Sequence, residues 1–264
     1  MRFPRLVSFG LALLLTPPPS SAQQSPPPQR DPQGLAVLKQ AIAAAGGSNA
    51  LGSVQDFTAS GSITYFWADQ QVEGSVMLRG RGTNEFRLDA NLPQGTRSWP
   101  VSKGEGSLLE ATGARSSIPF SNSWNLGSLS APHLGMLAAL SDTSMSVVLV
   151  GQTAVANKQV YDVRLQKSFT LTEDLTGELS RWTSKDYLID SENFMLMATQ
   201  DVENSNDAPW QSFKHQVLFS DYRAVNGVIL PFLIIETING QQTWKVQITS
   251  ITLNTGLTDS AFRF

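Results

Sequence analysis

The chain has 264 residues, 41% hydrophobic and 16% charged, with 19 basic against 22 acidic side chains, a net charge of −3 and no cysteine. The lack of cysteine excludes disulfides, thiolate metal sites and a cysteine nucleophile, and two histidines, His133 and His215, leave little for a histidine-built metal centre. No basic excess points to nucleic acid, while the apolar content suffices for one sizeable core.

Met1–Arg5 carries two arginines, Leu6–Leu15 is apolar apart from Ser8 and Gly10, and Ser20, Ser21 and Ala22 supply small residues at a cleavage site. This order predicts a signal peptide over residues 1–22, cleaved near Ala22, and a periplasmic mature chain. The apolar run is far short of the ~20 residues that span a bilayer. Residues 23–33 hold four prolines among Gln and Ser and are expected to be an extended linker that only spaces. Residues 34–264 are expected to be one domain.

Asp31 and Pro32 followed by Leu35, Leu38 and Ile42 predict a helix capped by Asp31, begun by Pro32 and ended by Gly46 and Gly47. From Phe57 the period becomes two: Phe57, Ala59, Gly61, Ile63, Tyr65 and Trp67 alternate with small polar residues, as in a strand with one wet face. A turn at Asp69 and Gln70 would set Trp67 opposite Val72, Tyr65 opposite Gly74, Ile63 opposite Val76 and Gly61 opposite Leu78. Phe86 and Leu88 continue a third strand, and shorter strands are expected around Arg97–Lys103 and Ser107–Thr112. Ala114–Leu129, rich in Ser and Asn, reads as a loop. Ser130 and Pro132 can start a second helix whose stripe is Leu134, Leu137, Ala138 and Leu140.

Further strands are expected at Met145–Val150, Gln159–Leu165, Trp182–Asp190, Phe194–Val202 and Gln211–Tyr222. Asn239 and Gly240 form the strongest hairpin signal, since both tolerate positive φ in a type I′ turn. A two-residue loop there sets Ile235 opposite Trp244, Leu233 opposite Val246 and Pro231 opposite Ile248, with Glu236 facing Thr243 on the other side. The alternation then slips near Thr249 and Ser250, which predicts a bulge, and Pro231 requires an edge or bulge position. The fold class is α+β, mainly β: a single strongly curved antiparallel sheet, an unclosed β-barrel of about eleven strands with helices on its concave side.

No catalytic or metal-binding motif stands out, and no cofactor is expected. Asp186 and Asp190 share a strand face and could mimic an acid/base pair, although flanking a turn explains them, with Glu192, more simply. Glu173, Asp174 and Glu178 lack metal-ligand spacing. His133 is expected in solvent or capping a turn, and His215 in an ordinary place on a strand.

A half-closed sheet encloses more apolar area than two short helices fill, and the remainder would be an apolar pocket of the kind that takes lipids. Its candidate lining is Ile63, Tyr65, Trp67, Val72, Val76 and Leu78 from the first hairpin and Phe86 and Leu88 from the third strand. Leu134 and Leu137 join from the helix, and Leu233, Ile235, Trp244 and Val246 from the last hairpin. For Trp67 and Trp244 the plainer reading is core packing, and the cavity wall is its alternative.

The run from Phe219 to Phe232, FSDYRAVNGVILPF, resembles a stretch of bacterial lipoprotein-carrier-like proteins, as do the hairpin after it and the closing segment from Asn254 to Phe262. Tyr187–Asp190 resembles their strand ending in a turn, and Ala44–Val54 their opening segment. The group is the outer-membrane lipoprotein-sorting superfamily, LolA/LolB-like with RseB-type sensors. The resemblance implies an unclosed barrel whose helices lid a cavity for acyl chains. It further implies a non-enzymatic, monomeric carrier or envelope sensor for lipid or an acylated protein, with an envelope membrane protein as a further partner. The alternative is a structural or protein-interaction module whose barrel its own side chains fill.

Overall fold

The computed structural model describes residues 28–264 apart from 68, 128–131, 171, 206–207 and 209–210. The signal-peptide segment 1–22, the start of the linker and the Ser130 helix start lie outside the described residues. Helix α1, Pro32–Ala44, begins as its sequence requires: the Asp31 side chain accepts from the Gln33 amide at 3.0 Å and Pro32 fills a position with no amide to satisfy. Gly46 follows at φ +112, where a Cβ would stand 2.3 Å from the Gly227 carbonyl oxygen, so only glycine fits. A short helix α2, Ser48–Gly52, precedes the first strand.

The end of the expected linker does more than space. Val147 donates to the Gln29 carbonyl and Asp31 to that of Val147, forming a parallel bridge. The Arg30 guanidinium donates to the carbonyls of Ala139, Leu140, Asp142 and Met145 at 2.6–3.0 Å. These include last-turn carbonyls of helix α4, Pro132–Ser141, which have no partners within the helix. Arg30→Ala is therefore expected to lower stability by about 1.5–3 kcal/mol in urea unfolding.

Thirteen strands are present among the described residues: β1 Asp56–Trp67, β2 Gln70–Arg81, β3 Glu85–Leu92, β4 Gly95–Ser102, β5 Glu105–Leu109, β6 Arg115–Ile118, β7 Met145–Val155, β8 Lys158–Lys167, β9 Lys185–Asp190, β10 Leu196–Asn204, β11 Ser212–Val225, β12 Val228–Ile238 and β13 Gln241–Leu253. They form one antiparallel, unclosed sheet in the order β6-β5-β4-β3-β2-β1-β13-β12-β11-β10-β9-β8-β7. The first and last strands thus meet in the middle, and β6 and β7 are the edges. The link between those edges runs through helix α3, Phe120–Gly127, and α4, which is what brings helices across the concave side. Helix α3 touches β3–β5 and also β10, four strands beyond β1, so the sheet is tightly curled. A short α-helix, α5, Glu178–Trp182, lies against β8.

Two hairpin registers differ from expectation. In the first, Trp67 pairs with Gln70 and Tyr65 with Val72, two residues from the expected register. A slip of two preserves the faces, so Ile63, Tyr65, Val76 and Leu78 are all buried. In the last, Asn239 and Gly240 do take positive φ, 50° and 79°. A bulge then places Thr243 as an extra residue, and pairing resumes as Glu236–Trp244, Ile235–Lys245, Ile234–Val246 and Leu233–Gln247. One added residue exchanges the faces, so Ile234 and Glu236, not Leu233 and Ile235, share the side of Val246 and Trp244. The bulge expected near Thr249 is present: β13 partners jump from Ser250 to Ile248 as β1 passes from Ser60 to Gly61. The β12–β13 ladder ends at Leu233–Gln247, so Pro231 lies past its last pair.

The expected Ala114–Leu129 loop contains β6 and α3, and in α4 the buried residues are Pro132, His133, Met136 and Ala139 rather than the leucine stripe. The latter follows from α4 lying under α1 and α2 while also facing the sheet side, so that both its faces are covered.

Candidate functional site

Beyond Leu233–Gln247, β12 and β13 part, and an apolar cleft occupies the divergence. Leu230, Pro231 and Ile234 line it from β12, with Ile248, Ile251 and Leu253 from β13. Its floor includes Phe57, Leu78, Phe86, Phe219 and Trp244, and its lid is Leu51 of α2 with Pro132, His133 and Leu134 of α4. Its cavity volume is only about 50 Å³. Its walls therefore stand almost in contact, and a guest larger than a few methyl groups must move the lid.

His133, contrary to expectation, is buried in this lid at 1% exposure. Neither ring nitrogen has a hydrogen-bond partner, and burial pushes the imidazole down to about 4, so it is neutral near pH 7. The Tyr222 ring meets it edge-on at 6.0 Å.

Trp244 also lines a second compartment of about 250 Å³. Tyr65, Trp67 and Trp99 form its aromatic wall. The Arg97 guanidinium sits 5.0–5.7 Å from the centres of all three rings and pairs with Glu110 at 3.1 Å. Glu203 and Glu236 supply carboxylates.

A buried ion network stands behind them. His215 donates from Nδ1 to Asp201 at 2.6 Å and from Nε2 to Glu236 at 3.1 Å, and Lys185 reaches Asp201 at 2.7 Å. Burial alone would push the His215 imidazole down; the Asp201 charge and the hydrogen bonds to both carboxylates overcome it and hold the ring protonated, up to about 10. Burial pushes the Glu203 carboxyl up to about 7, with the His215 charge opposing and those of Glu236 and Asp201 adding. The folded state therefore holds the Glu203 proton more tightly than the unfolded chain, whose value is near 4.5. Its contribution to stability is lost as pH rises from there through about 7. Glu203→Gln is expected to flatten that decline, read as urea midpoints between pH 5 and 8.

Of the expected lining residues, Leu78, Phe86, Leu134 and Trp244 border the cleft, and Tyr65, Trp67 and Trp244 the compartment. Trp244 is 3% exposed, while Trp67 sits at the rim at 45%, stacked on Tyr65. Ile63, Val76, Leu88 and Val246 are core beneath the lining, and Val72 and Leu137 pack against it. Leu233 and Ile235 border neither space, because of the bulge at Thr243. Unanticipated members include Phe219, Leu230, Ile234, His133 and Arg97. Trp99, in the strand expected around Arg97–Lys103, carries a visible signal, its aromatic bulk.

The acidic candidates hold structure. Asp186 takes a bidentate contact from Arg164 at 2.6 and 2.9 Å. Asp190 accepts from the turn amides of Glu192 and Asn193 and pairs with Lys158. Asp174 accepts from the Leu179 and Ser180 amides of α5.

The sequence matches no protein-family model and no curated protein. Its structure is similar to solved ones. A LolA superfamily protein from Nitrosomonas europaea matches with a TM-score of 0.53 at 9% identity, over 88% of this chain and 97% of that one. The chain has the LolA-superfamily fold. A domain assigned to outer membrane lipoprotein sorting, from Vibrio parahaemolyticus, also scores 0.53, at 11% identity over 87% and 96%. A DUF1329 family protein from Desulfovibrio piger scores 0.51, at 8% identity over 86% and 96%. At these identities the likeness fixes the LolA-type fold, and the cleft between sheet and lid is this chain's own geometry.

Proposed function

We propose that this chain is a periplasmic, non-enzymatic binding protein that holds lipid or the acyl chains of a lipoprotein, as a carrier or an envelope sensor. The reading is carried by the apolar cleft between α2, α4 and the diverging ends of β12 and β13. The assignment of the similar Vibrio domain to lipoprotein sorting is consistent with it. Hydrocarbon buried there contributes about 0.8 kcal/mol per methylene, and since the cleft is nearly shut, that gain must exceed the cost of displacing Leu134 and its neighbours. Export by the segment 1–22, action as a monomer and transfer to or from an envelope membrane protein belong to the same reading.

Purified protein is expected to yield extractable lipid by mass spectrometry, and after delipidation to bind dansyl-undecanoate saturably. Clean spectra together with no titration would sink the proposal. The narrowness of the cleft favours a second reading, an interaction module with a filled barrel, and that pair of negative results would support it.

A further inference from the structure

We infer that the aromatic compartment beside Trp244 receives the head of the bound amphiphile, a neutral group bearing hydroxyl and ester oxygens. The inference rests on reading the apolar cleft as the seat of the chain. Trp244 lines both spaces, so one molecule can reach from the cleft past this indole into the compartment.

The polar atoms define what the head must bring. Tyr65 and Trp244 are 1% and 3% exposed, and neither the Tyr65 hydroxyl nor Trp244 Nε1 has a hydrogen-bond acceptor. Buried donors left unpaired destabilise a protein; the two side chains line the compartment with their donor atoms closed off from its open space, so a guest that turns either ring uncovers a donor to be answered. A ligand there has to offer oxygen acceptors. The charges already present argue for neutrality. Glu236 is answered by His215 and accepts from Thr243, and Glu110 is answered by Arg97. An anionic head would meet these carboxylates and Glu203, while the one cation among the described lining residues, Arg97, is already paired with Glu110. A cationic head would find the faces of Tyr65, Trp67 and Trp99 occupied by the Arg97 guanidinium. Glu203, near half-protonated at neutrality, can donate to or accept from a hydroxyl.

The test compares four twelve-carbon ligands by displacement of dansyl-undecanoate from the delipidated protein: monolauroylglycerol, laurate, dodecyltrimethylammonium and dodecane. Monolauroylglycerol is expected to compete best, about tenfold better than dodecane. Tyr65→Phe should cut that advantage about three- to tenfold, the worth of one hydrogen bond, and leave dodecane unchanged. Trp244→Phe should act in the same direction. The Tyr65→Phe unfolding midpoint should not fall, since the hydroxyl donates to no acceptor in the free protein and Arg97 beside it keeps its pairing with Glu110. A preference for laurate or dodecyltrimethylammonium would overturn the inference. So would an undiminished monolauroylglycerol advantage in Tyr65→Phe, or a lowered midpoint, which would assign the hydroxyl to the fold. Dodecane bound with indifference to every head would overturn this inference alone. If none of the four displaces the probe, the cleft reading falls and takes this one with it.

Discussion

Replacing His215 with leucine is expected to lower the unfolding free energy by about 3–5 kcal/mol. The imidazolium is 4% exposed and is the bridge between Asp201, itself also held by Lys185, and Glu236. Leucine would leave Glu236 buried with only the Thr243 hydroxyl and would halve the cationic contacts of Asp201. An uncompensated buried charge is among the few single changes that reach this magnitude. The wild-type protein should also show a pH signature. The ring binds its proton more tightly folded than unfolded, so its contribution is complete below pH 6.5 and drains away as pH climbs toward 10. Urea unfolding at pH 6, 8 and 10 measures both effects. A leucine variant with wild-type stability, or with the same alkaline decline, would show that the network is not charged as described.

Leu230→Glu is expected to weaken dansyl-undecanoate binding about a hundredfold or more, because a carboxylate would stand in the apolar wall against the chain. Leu230 is only half-buried at the mouth, past the end of the β12–β13 ladder, so the fold should tolerate the change. The matched control is Leu233→Glu. That side chain borders neither space, and binding should stay within about twofold of wild type. Equal losses at both positions would mean that the variants act through stability and that the assigned faces are wrong.

Much of this was legible in the amino acids. The cap at Asp31, the alternation from Phe57 to Trp67, the turn at Asn239 and Gly240 and the slip near Thr249 each rest on local rules that tertiary packing did not override. The first hairpin even survived a wrong turn, because a slip of two returns every side chain to its face. The last did not survive Thr243, since a single extra residue in a polar Gln-Gln-Thr stretch leaves no trace in the pattern yet turns β12 over. Helix α3 was hidden for a different reason. Its buried residues, among those described, are Ser121, Asn122 and Ser123, held by a clasp in which Asn122 bonds both backbone groups of Asn204, at 2.8 and 3.0 Å. Periodicity cannot see a helix held by hydrogen bonds to a strand 82 positions away. His133 was missed because nothing in a neighbouring Pro or Leu announces that an imidazole will be buried without a partner.

The pairing of β1 with β13 makes the final strand a keystone. Remove Gln241–Leu253 and the wall separates into two ribbons, β6 to β1 and β12 to β7, joined only through the helices. Partners almost 200 residues apart, such as Phe57 and Leu253, must find each other before either ribbon acquires its neighbour. Closure of so long a loop makes assembly slow. During synthesis, therefore, two greasy half-walls wait side by side until Gln241–Leu253 emerge, and that interval is when the chain most needs protection from aggregation.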